Sequence, residues 1–100
     1  MLQFHDVIKV VAPTLTTQDR LRVDYDDLGI SAEMKATCTP VILAKEDASG
    51  NGAVIDEIVT WNGDNLEIQE GTTGFTTGDV FVIGLVAGLP SHTATAATAS

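Results

Sequence analysis

Cysteine is almost absent from this 100-residue chain: Cys38 stands alone. A single thiol closes no internal disulfide, so packing alone must hold the fold. Basic charge is also scarce. All five bases (Lys9, Arg20, Arg22, Lys35 and Lys45) precede position 46, and beyond it Asp and Glu occur without Lys or Arg. The net charge is −9. Nucleic acid requires clustered Lys and Arg to displace counterions, and no such cluster exists, so nucleic-acid binding is not expected. An acidic surface favours solubility and a basic partner surface instead. Long apolar runs are missing too. Val80 to Leu89 is nearly charge-free but spans about half the length of a membrane helix. The first residues lack the basic start and apolar core of a signal peptide, so a soluble, unsecreted chain is expected.

Chemistry-bearing motifs are equally sparse. There is no Gly-x-Ser-x-Gly, Walker loop, paired His or Cys-x-x-Cys. A nucleophilic Cys38 would need a basic partner, and the two histidines, His5 and His92, lie near the chain ends. A buried core thiol is the simpler reading. Asp56 and Glu57 are adjacent, so in a strand they would face opposite ways and make no carboxylate pair. No enzyme and no cofactor are expected.

What the chain does contain is strand signal. Hydrophobic residues make up 44% of it, enough for a packed domain. Phe4–Val11 is β-branched and apolar. Arg20–Tyr25 alternates, with Leu21, Val23 and Tyr25 on one side. Ala32–Ala36 suits either a short helical turn or the start of a strand reaching Leu43, with Pro40 marking an edge or a bulge. The run 45–52 reads as a loop. Val54–Trp61 and Leu66–Gln69 read as strands joined by a two-residue turn at Asn62-Gly63. Asp79–Val86, the most apolar strand, is predicted to be central and covered on both faces. Phe75, Phe81, Trp61, Ile83 and Leu66 are the expected core. The pattern predicts an all-β domain, a small β-sandwich or β-barrel. It divides into an N-terminal strand or arm (1–13), a body (14–90) and an extended Ala/Thr tail (91–100).

Two groups stand out as site candidates. Asp24, Asp26 and Asp27 form the densest acidic cluster, with the loop Asp47-Ala-Ser-Gly-Asn-Gly as a further source of oxygens. A hard cation needs six to eight oxygens, and the EF-hand spacing is absent, so a solvated turn competes with a cation site. Trp61, beside the hairpin, could stack on a sugar, but sugar sites usually present more than one aromatic, and core packing is the plainer role. The tail, rich in Ala and Thr, has nothing large to bury and would be ordered only against something else, most simply a neighbouring chain.

The acidic, Cys-poor, Thr/Gly/Ala-rich composition, the hairpin around Trp61-Asn-Gly-Asp, the strand Gly78-Asp-Val-Phe-Val-Ile-Gly and the extended ends resemble the small β-structured proteins of tailed-phage virions. These are capsid decoration (cement) proteins and the head or tail appendage and fibre proteins built like them. The resemblance implies a protein of the virion, assembled in the host cytoplasm. It would bind the major capsid protein or another virion protein and stiffen the lattice, often as a trimer. Partner contacts would come from the ends, through Phe4, Leu89, Pro90, His92, Thr93 and Thr95. A carbohydrate- or ligand-binding β module centred on Trp61 is the alternative.

Overall fold

The computed structural model describes residues 3–14, 20–72 and 74–87, excluding the side chains of residues 3–5. Six strands occur in order: β1 (Gln3–Val11), β2 (Arg20–Asp24), β3 (Thr39–Glu46), β4 (Ile58–Asn62), β5 (Asn65–Gln69) and β6 (Val80–Ala87). They form two three-stranded antiparallel sheets, β1-β6-β3 and β2-β5-β4. A 3₁₀ turn (Tyr25–Leu28) and one helix, α1 (Ala32–Thr37), link β2 to β3. The domain is all-β.

The alternation in sequence explains the layers. In one sheet, Leu21, Ile68 and Val59 share a cross-strand row, as do Val23, Leu66 and Trp61. In the other, Ile8, Ile83 and Ile42 form a row, and Val10 and Lys45 flank Phe81. These rows meet between the sheets in one core containing Val10, Leu21, Leu66, Ile68, Phe81 and Ile83. Burying each large apolar side chain contributes roughly 1.5–3 kcal/mol. A second cluster of Ile30, Cys38 and Leu85 closes the end beneath α1 and the 3₁₀ turn. Leu66, Phe81 and Ile83 are buried as expected, while Phe75 and Trp61 are half-buried against the core.

The structure corrects several expectations. The strand expected at Phe4–Val11 is present and longer: residues 3–11 pair with β6 from Gln3↔Ala87 to Val11↔Val80, as an edge strand of the first sheet. Tyr25 leaves the alternation because Asp24 caps a 3₁₀ turn, its carboxylate accepting the Asp26 N–H at 3.0 Å. Residues 32–37 are helical because the Ser31 hydroxyl caps the Met34 N–H, and Cys38 ends the helix two residues before Pro40. Pro40 lies in the edge strand β3, and the bulge falls later, between Ile42 and Ala44. Strand β3 runs on to Glu46, so Lys45 is a strand residue rather than part of the loop.

The hairpin turn is displaced by one residue. Its centre is Gly63-Asp64, closed by Asn62↔Asn65. Gly63 has φ +60° and no described non-glycine residue has positive φ, which rules out type I′ and fits the type II′ pattern. Packing decides the register. The observed pairing sets Trp61 opposite Leu66 and Val59 opposite Ile68. A turn centred on Asn62-Gly63 would place Asp64 opposite Trp61 and Glu57 opposite Ile68, putting two acids in the apolar row.

Strand β4 begins at Ile58, not Val54, and Val54 is 84% exposed. The preceding backbone has other partners. Ala53 N–H bonds Lys45 O, and Asp56 N–H bonds the Glu57 carboxylate. Strand β6 is central, but Val80 and Val82 on its outer side are only half-buried, so it is not covered on both faces along its full length.

Candidate functional site

The polar groups of this domain are largely committed to one another. Lys45, on the inner row of β3, reaches the Glu57 carboxylate at 2.5 Å, with side-chain exposures of 10% and 0%. The ammonium also lies 5.5 Å from the Phe81 ring centroid. The second Glu57 oxygen accepts the Asp56 N–H. This buried pair was hidden in the sequence because its members are 12 positions apart and Lys45 sits in a loop-like run.

Glu67 stands on the outer face of β2-β5-β4. It accepts from Arg22 Nε at 2.8 Å, Asn62 Nδ2 at 2.9 Å and Arg20 Nη1 at 3.4 Å. The alternation of β2 puts both arginines on that face, and the register sets Arg22 across from Glu67. The Asn62 amide, then Arg22, hold the carboxyl below its ordinary range. A depressed folded pKa stabilises the native state above the unfolded pKa, and this is lost as pH falls through the folded value. Unfolding midpoints in urea should therefore drop between the ordinary glutamate range and the lowered value. In Glu67→Gln that part of the acid slope should disappear; an unchanged slope would mean the cluster adds no linkage.

Two loop carboxylates serve the backbone. Asp47 accepts the N–H groups of Ser49 and Asn51, both at 2.9 Å, and the Asn51 N–H is the first cause of its lowered pKa. The loop after β3 is thus closed by its own acid. Asp56 accepts from the Thr72 hydroxyl at 2.8 Å and its N–H at 3.0 Å, and that hydroxyl is the main reason its pKa is lowered. Asp56 and Glu57 diverge, one on the surface and one buried, though not as strand neighbours.

Asp24, Asp26 and Asp27 line the 3₁₀ turn, where Asp24 is the cap. The Tyr25 hydroxyl titrates above its ordinary value, first because of Asp26, then through desolvation, Asp64 and Asp24. Among the described residues no group of three or more His, Cys, Asp or Glu could hold a metal ion. Trp61 points into the domain. Its Nε1–H donates to Cys38 O at 2.9 Å, its ring touches both core clusters, and Lys35 Nζ lies 5.8 Å from its centroid. That places it in packing rather than as an open sugar platform. Cys38 is buried.

Comparison with family models, curated proteins and solved structures found no match. Among the described residues, no helix is long and apolar enough to cross a membrane.

The surfaces remain. Of the predicted contact residues, Leu89, Pro90, His92, Thr93 and Thr95 lie outside the described residues, and Phe4 is placed only by its backbone, opposite Val86. The first pair of the sheet is Gln3↔Ala87. The start of β1 and the point where the chain runs on toward Leu89 are therefore side by side. A shallow cleft lies along the free edges of β1 and β2, lined by Val10, Pro13, Leu21 and Arg22 among others. The outer face of β1-β6-β3 carries valines at unusual exposure, Val7 at 52% and Val11 at 58%.

Proposed function

We propose that this chain is a non-enzymatic virion structural protein, a capsid decoration or cement protein that binds an assembled lattice and stabilises it. The observation that carries the reading is the adjacency of Gln3 and Ala87 at one end of one sheet. It sets the Phe4 end of β1 beside Ala87, the last described residue before the candidate contacts at Leu89 to Thr95. One end of a small acidic β body can then meet a partner with both termini at once. A partner that binds only the assembled lattice shifts it toward assembly by its own binding free energy, RT ln(1 + [L]/Kd), about 2.7 kcal/mol at a hundredfold excess over Kd. The partner is the major capsid protein or another virion protein, and an acidic surface suits a basic patch on it.

Deleting Ser91–Ser100 should lower occupancy on the lattice at least tenfold while leaving the thermal unfolding of the domain unchanged. Co-sedimentation with assembled particles and circular dichroism together read this. Unaltered occupancy with the tail removed would exclude this end as the contact.

A further inference from the structure

The outer face of β1-β6-β3 carries three cross-strand rows, Val7–Gly84–Val41, Lys9–Val82–Ala44 and Val11–Val80–Glu46, in which the β1 residues are exposed, Gly84 is buried and the others are half-buried. Leu43, set in the bulge of β3, adds a further exposed side chain at 42%. The face is almost wholly aliphatic, with its charges at opposite edges: Lys9 on β1 and Glu46 on β3. Among the described residues Lys9 makes no ion pair.

The geometry points to a second copy of this chain as the occupant of this face, packed against it about a two-fold axis parallel to the strands. Such an axis lays β1 of one copy over β3 of the other with the rows still level. Lys9 then lies over Ala44 of the second copy and one row from its Glu46, and the reciprocal contact repeats at the other edge. The exposed Val7 then lies over Val41 of the second copy, and Val11 over its Glu46. A parallel two-fold is thus the arrangement in which both charges find opposite partners around an apolar centre. The inference does not rest on the virion reading, and it narrows the expected homo-oligomer to a pair.

Size sets the strength. Three strands about 4.8 Å apart and about 26 Å long offer on the order of 400 Å² per copy. That falls below the roughly 1,200–2,000 Å² total of stable interfaces, so a weak, concentration-dependent dimer follows.

Sedimentation velocity on the full chain, from about 10 μM to 1 mM at 0.15 M salt, tests this. At that salt the screening length is about 8 Å, so the repulsion between two acidic copies is damped. A species of twice 10.5 kDa should grow with concentration. Val7→Lys, which lowers the net charge of each copy and sets an ammonium over Val41 beside Lys9, should abolish it with an unchanged circular dichroism spectrum. Lys9→Glu and Glu46→Lys should each weaken association about tenfold, and the double swap should restore it. A monomer at every concentration would assign the face to another partner or to the chain's own tail, and would overturn the proposal. So would a trimer indifferent to Val7→Lys, or a double swap that fails to recover association.

Discussion

Lys45→Met should destabilise the domain by about 3–5 kcal/mol, because it strands Glu57 as an uncompensated charge with no exposed side-chain surface. Glu57→Leu should cost a similar amount by stranding Lys45 beside the Phe81 ring. The double variant, Lys45→Met with Glu57→Leu, should recover most of the loss. Burying two charges costs desolvation that their attraction only partly offsets, so an apolar pair of similar volume is near neutral or better. Urea unfolding of the four proteins forms a double-mutant cycle and measures the coupling directly. A single replacement costing less than about 1 kcal/mol would show that the pair is reached by water and contributes little.

The other large effect lies next to it. Phe81→Ala should cost about 3–5 kcal/mol, since Phe81 is completely buried on the central strand β6 and its removal leaves a cavity between the sheets. Against a total stability of roughly 5–15 kcal/mol this is enough to leave the domain marginal. Phe75 meets the Phe81 ring edge-on, with centroids 5.8 Å apart at 83°. Being half-buried, it should cost less on truncation to Ala. Chemical denaturation at 25 °C checks both, with equal losses at the two positions contradicting this core assignment. Since Lys45 also lies over the Phe81 ring, Phe81→Ala and Lys45→Met should not be additive.

Much of the architecture was legible in the chain because a strand facing a core writes a period of two into its sequence. Leu21 and Val23 against Arg20 and Arg22, and Leu66 and Ile68 against Glu67, read directly as inner and outer rows. So did the central place of β6, from its apolar run. The misreadings have physical causes. Val54 and Ile55 look like strand residues, but the pairing partners of that backbone are taken elsewhere, by Lys45 and by the Glu57 carboxylate. The Asn62-Gly63 turn signal was one residue off because the apolar row, not the turn dipeptide, sets the register. The helix at Ala32–Thr37 depends on a single Ser31 cap and is shorter than any period can reveal. The Lys45–Glu57 pair joins distant positions, which no local pattern encodes. Trp61, one of the two aromatics expected in the core that prove half-buried, owes its inward position to pairing with Leu66. Site chemistry was less legible than fold. Acidic residues that look like ligands in a row, Asp24 and Asp47 above all, are instead occupied in capping their own turns.

A density gradient of material from the native source, read by mass spectrometry across the fractions, decides the proposed lattice role. The chain should co-migrate with a megadalton particle at many copies per particle, in a number that identifies capsid rather than tail. Recovery only at the top of the gradient, as a free small protein, would contradict it.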